Sequence, residues 1–127
     1  MAQLAPIVLN DGKSDITFVP YEIDSNGVAR LRSASDSAIG SNELSVQGRD
    51  ALTNRRVTVK ITVPTVQTEV VNGISTPKVV RKQIGTIELS LAKTTSLAER
   101  KALRSLLAAS LSNPLIAAVI DSNESMY

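Results

Sequence analysis

The chain contains no cysteine, no histidine and no tryptophan, and its aromatic residues are Phe18, Tyr21 and Tyr127. Without cysteine there is no disulfide framework and no thiolate for metal binding or catalysis. Without histidine the commonest general base and metal ligand is missing. These absences argue against most enzyme mechanisms. With so few rings, the core of a 127-residue chain must be assembled from Val, Ile, Leu and Ala, which a 43% hydrophobic content permits. Apolar runs are short: Leu106 to Ala109 falls far below the length of a membrane-spanning helix. Met1 to Pro6 has neither the basic start nor the apolar stretch of a signal peptide. The expectation is a soluble, cytoplasmically made protein with one domain over residues 1–127, in which Met1 is removable ahead of the small Ala2.

Charge of one sign is also lacking in the total. Fourteen basic against twelve acidic residues leave +2, too little to identify a nucleic-acid binder. The distribution says more. Arg49, Arg55, Arg56 and Lys60 stand against the single acid Asp50, and Lys78, Arg81 and Lys82 form a second basic group.

Residues 7 to 9 and 16 to 19 are β-prone and flank Asp11-Gly12, which predicts an N-terminal hairpin whose second strand ends at Pro20. Asn26-Gly27 marks another turn, Val28 to Leu31 a short strand, and the Ser/Ala/Gly-rich stretch from Ser33 to Ser41 a loop. From Leu44 to Leu91 the alternation sorts residues onto two chemically different faces, as in an antiparallel sheet covered on one side. Leu44 and Val46 oppose Ser45, Gln47 and Arg49; Val57, Val59, Ile61 and Val63 oppose Arg56, Thr58, Lys60 and Thr62. Pro64 predicts a bend or bulge. A third strand, Val79 to Leu91, sets Ile87, Leu89 and Leu91 against Lys82, Ile84, Thr86 and Glu88, and Asn72-Gly73 with Pro77 forms an exposed hairpin loop before it.

The pattern then becomes helical. Ser96-Leu97-Ala98-Glu99 is a capping box ahead of Leu103, Leu106, Leu107 and Leu111, and Asn113-Pro114 opens a second helix carrying Ile116, Val119 and Ile120. The predicted fold class is α+β: an N-terminal β-hairpin, an antiparallel sheet of about five strands, and two C-terminal helices.

Several segments, in this order, resemble the coat proteins of the small single-stranded RNA bacteriophages, the levivirus family. They are Asn26-Gly27-Val28-Ala29, the run from Asn54 through Arg55, Arg56, Val57, Thr58, Val59, Lys60, Ile61, Thr62 and Val63 to Pro64, and Val71-Asn72-Gly73 with Thr76-Pro77. Glu99-Arg100 before an Ala/Leu-rich helix, Asn113-Pro114-Leu115-Ile116 and the terminal Tyr127 complete the set. Each piece is common by itself; the ordered series covers essentially the whole chain.

The resemblance implies an interlocked homodimer in which each chain's helices pack on the partner's sheet. Dimers of that family close into a T=3 icosahedral shell, the virion capsid, made in the bacterial host cytoplasm. An isologous dimer would remove the open edge and the apolar face that a lone chain leaves exposed. By the same resemblance Val71, Asn72, Gly73 and Pro77 lie in a loop that adapts to different positions in the shell, and Pro77 can adopt either peptide isomer. The polar sheet face would line the interior and hold a hairpin of the genomic RNA, repressing replicase translation and promoting packaging. A phage maturation protein would be a further partner; no cofactor, metal or membrane is implied.

Carried over by position, Val28, Ser45, Gln47, Thr58 and Lys60 fall where the family contacts an unpaired adenine and adjacent backbone, and Arg49, Asn54 and Arg56 extend the phosphate-facing surface. Ile84 and Thr86 occupy positions where better-known relatives have Tyr and Asn, so a stacking ring worth about 1 to 3 kcal/mol is missing. Glu43 stands in place of a basic residue, and the loop after Arg49 is one residue shorter than in some relatives. A Thr/Lys/Arg face is also what any solvated strand presents. Two other readings therefore stay open: a dimeric RNA-binding translational regulator that builds no shell, and an enzyme using Asp11 and Asp15, residues that more readily serve a solvated turn.

Overall fold

The computed structural model describes residues 3–33, 40–123 and 125. There are six strands among the described residues: β1 (Ile7–Asn10), β2 (Asp15–Ile23), β3 (Ala29–Ser33), β4 (Glu43–Asp50), β5 (Asn54–Val71) and β6 (Ile74–Ala92). They form one antiparallel sheet in sequence order, each strand beside the next. The sheet thus has six strands rather than about five, because the N-terminal hairpin joins it. Two helices follow, α1 (Leu97–Ser112) and α2 (Pro114–Asp121). The chain divides into two compact units, Met1–Ser90 and Leu91–Tyr127.

Period-two alternation places one apolar and one polar face on the sheet. On the apolar face, Pro20, Leu31, Leu44 and Ile61 are in register across β2 to β5, and Ile23, Ala29, Val46 and Val59 make the next row. Phe18, Leu31 and Leu44 are buried, with Leu31 fully so, and Leu4, Ile7, Ile16, Ala29, Val46, Val59 and Ile61 pack around them. This core is aliphatic apart from one ring, as the composition demanded.

Turn chemistry sets the register. Asp11 accepts the backbone N–H groups of Lys13 and Ser14, both at 2.8 Å, and Gly12 sits at φ 94°, closing the β1–β2 hairpin. Asp15 accepts from the Asn10 amide at 3.0 Å, so the two carboxylates weighed as an acid–base pair serve this turn. Asn72 and Gly73 both have positive φ, 52° and 78°, the requirement of a two-residue hairpin turn. The turn is so tight that β6 starts at Ile74, not Val79, and the expected loop reduces to a hairpin tip with Pro77 inside the strand.

The prolines behave differently from expectation. Pro20 does not end its strand: β2 runs on to Ile23, and the register shifts between Pro20 and Glu22. Proline cannot donate to the ladder, and a bulge accommodates it. Pro64 does not interrupt β5, an 18-residue strand. Its pairing with β4 ends at Thr62, so no β4 carbonyl is left waiting for the missing N–H. The stretch anticipated as a loop, Ser33 to Ser41, lies mostly outside the described residues.

In the second unit, Ser96 Oγ accepts from the Glu99 N–H at 3.3 Å and Asn113 Oδ1 from the Leu115 N–H at 3.0 Å, as the capping signals predicted. Pro114 occupies the first turn of α2. No residue of either helix is buried; Leu106 and Leu115 are about two-thirds exposed, at 68% and 69%. Among the described residues no single helix is long and apolar enough to cross a membrane.

Candidate nucleic-acid interface

The polar face is built by the register that builds the core. Opposite the apolar rows, Ser45 pairs with Lys60, Gln47 with Thr58 and Arg49 with Arg56 across β4 and β5. On β3, Arg30 pairs with Ser45 and Arg32 with Glu43. Two rows therefore run across four strands: Glu22, Arg30, Ser45 and Lys60, then Val19, Arg32, Glu43 and Thr62. Across the other edge of β5, Arg56 meets Glu88 at 3.7 Å and the Asn54 amide donates to Ser90 Oγ at 3.1 Å. Alternation along β6 sets Ile84 and Thr86 on this same face, both exposed.

Every residue singled out as an RNA contact is thus on this face or at its border. Their roles differ. Ser45 and Thr58 present hydroxyls, half-buried, beside the exposed Lys60. Gln47 donates from Nε2 to the Asn26 carbonyl at 3.2 Å and so ties β4 to the β2–β3 turn. That turn carries Val28, whose N–H donates to Asp24 Oδ1 at 3.1 Å. Asn54 is engaged with Ser90, which makes it a link between β5 and β6. The tip residues Val71, Asn72 and Gly73, and Pro77 beyond them, are all exposed at the far end of the long β5–β6 hairpin, apart from this surface.

Arg49 and Arg56 are direct cross-strand partners. Like charges placed so are destabilising unless an anion relieves them. The Arg56–Glu88 contact is between exposed side chains and stabilises little. A negative group from solution would relieve the repulsion between them.

Sequence reasoning missed the part of the face contributed by β2 and β3. A shallow depression of about 50 Å³ is lined by Tyr21, Arg30, Glu43, Leu44, Ser45, Lys60 and Thr62. Tyr21 reaches it because of the bulge: Tyr21 and Glu22 together oppose the span that one residue would otherwise occupy, so neighbours share a side. The Arg32 guanidinium lies 4.3 Å from the Tyr21 ring centroid. Arg30 is held by Asp24 Oδ2 at 3.3 Å and Glu22 Oε2 at 3.9 Å. The Val28 N–H keeps the Asp24 carboxyl below the ordinary aspartate range, assisted by the Asn26 N–H and Arg30 against an opposing desolvation. The period-two spacing of Arg30 and Arg32 around Leu31 was the available signal.

Comparison with known proteins gives one consistent result. The family model described as levivirus coat protein matches residues 2–127. The capsid protein of Pseudomonas phage PRR1 is 35% identical over 103 residues, 78% of either chain. Among solved structures, the virus-like particle of Beihai levi-like virus 21 superposes with a TM-score of 0.88 at 30% identity, covering 99% of each chain. The bacteriophage GA protein capsid does so at 0.83 with 29% identity, again over 99% of each.

Proposed function

This chain belongs to the levivirus coat protein family, and on that premise we propose that it forms interlocked dimers that close into a T=3 icosahedral virion shell whose inner surface holds a genomic RNA hairpin. Binding of that hairpin represses replicase translation and promotes packaging, and the phage maturation protein joins the same shell. Self-association answers a physical need. The apolar sheet face and the apolar sides of α1 and α2 are two complementary surfaces in one chain, and a second copy supplies both. Val71, Asn72, Gly73 and Pro77, at the exposed hairpin tip, are assigned to contacts between dimers in the shell.

The observation that carries the RNA reading is the in-register polar face, where Ser45–Lys60, Gln47–Thr58 and Arg49–Arg56 align hydroxyls, an amide and cations side by side. Hydroxyls and amides read base edges, cations neutralise phosphate, and unpaired bases are what proteins read in RNA. Arg49, Arg56 and Lys60 are the phosphate contacts. Thr58, Ser45 and Val28 border the base, Gln47 and Asn54 position the strands around it, and Ile84 and Thr86 complete the surface on β6.

Filter-binding titration with hairpin RNAs tests this. Lys60→Ala and Thr58→Ala should weaken binding while particles still form. Unchanged affinity in both variants would remove these residues from the site, and soluble dimers that bind RNA without ever assembling would leave a regulator in place of a shell.

A further inference from the structure

We infer that the depression bordered by Tyr21, Arg30, Glu43, Ser45, Lys60 and Thr62 is a notch for one base edge, and that Glu43 makes it select an unpaired guanine; the inference rests on the RNA reading of this face. The notch lies where the Arg30–Ser45–Lys60 row meets the Arg32–Glu43–Thr62 row. It is a shallow, open depression rather than an enclosed cavity, so it meets the edge of a base and does not surround the ring.

A carboxylate is an unexpected lining for a surface that meets phosphates, since it repels them. It is acceptor-only, with two oxygens able to take parallel N–H donors. The guanine Watson–Crick edge offers two adjacent donors, N1–H and the N2 amino group. Adenine, cytosine and uracil each place an acceptor beside their donor there, which a carboxylate cannot satisfy. Glu43 is exposed in the free chain, and a base that covers it with an acceptor instead of a donor costs the carboxylate its water without replacement, so selection follows from mismatch as well as match.

The surroundings fit this role. Arg30 contacts Asp24 at 3.3 Å and, more loosely, Glu22 at 3.9 Å, so part of its charge is already met by these two carboxylates. Lys60 lies across from Ser45 and supplies the cation for the phosphate adjoining the base. Tyr21, steadied by Arg32, gives the rim an aromatic surface. The ring absent at Ile84 on β6 is therefore present on the opposite flank, which moves the base-contacting centre of the face toward β3.

The test uses the full chain and a pool of hairpins with one fixed stem and a randomised unpaired loop and bulge, captured on the protein and sequenced. The wild type should enrich an unpaired guanine, and replacing that base by inosine, which lacks the N2 amino group, should lower affinity about tenfold. Glu43→Gln should lose the preference and shift it toward adenine, whose donor–acceptor pair matches an amide. Guanine enrichment that persists in Glu43→Gln, or a wild type that retains all loops alike, overturns the notch while salt-sensitive hairpin binding leaves the RNA face standing. Absence of hairpin binding in wild type and Lys60→Ala alike removes face and notch together.

Discussion

Lys60→Ala offers a quantitative test of the RNA face through its salt dependence. Arg49, Arg56 and Lys60 project from one surface, with Arg49 and Arg56 in register and Lys60 four residues further along β5. If each neutralises one phosphate of an unpaired strand, log affinity falls against log salt with a slope of about −2.1, so raising salt from ~50 to ~200 mM weakens binding about 18-fold. Removing Lys60 leaves two contacts, a slope of about −1.4 and a loss of about sevenfold over the same range. Thr58→Ala, which removes a hydroxyl and no charge, should lower affinity with the slope intact. Filter-binding titrations at four or five salt concentrations separate the two behaviours. A slope unchanged in Lys60→Ala would show that Lys60 meets no phosphate and would refute the arrangement of this face.

Other outcomes follow from the packing and the turns. Leu31 is fully buried at the centre of the apolar face, so Leu31→Ala should cost about 2 to 5 kcal/mol, read as a lower urea midpoint. Asp11 and Asp24 both have folded pKa values depressed mainly by backbone N–H donors, Ser14 first for Asp11 and Val28 first for Asp24. The stability they contribute is complete above the ordinary aspartate value of about 3.9 and is lost as pH falls through their lower folded values; Asp24→Asn should flatten that part of an acid titration followed by circular dichroism. Ser96→Ala removes the acceptor for the Glu99 N–H and should cost about 1 kcal/mol, seen as a lower melting temperature.

Much of this architecture was legible in the sequence, for identifiable reasons. Alternation in β4, β5 and β6 named both faces correctly because one is apolar and the other is not, and a strand's two-residue period leaves no third choice. Asn72-Gly73, Ser96 and Asn113 announced their turns and caps through local chemistry that needs no distant partner. What failed to show was non-local. Pro20 reads as a terminator, and only the pairing with β3 reveals that the ladder bulges past it and carries Tyr21 onto the polar face. Arg30 in the sequence is one more solvated cation, and its hold on Asp24 and Glu22 depends on the Asp24–Val28 turn that brings them together. Glu43 read as a departure from the family; beside Arg30 and Lys60 it becomes a candidate reader of base identity.

A chain that builds a shell around RNA should form closed, RNA-containing particles without any other phage protein. The most direct measurement is an electron micrograph of the full chain expressed alone and purified, with nucleic acid extracted from the same fraction. Uniform closed particles that yield RNA are the predicted result, and a stable monomer or a dimer that never assembles would contradict it.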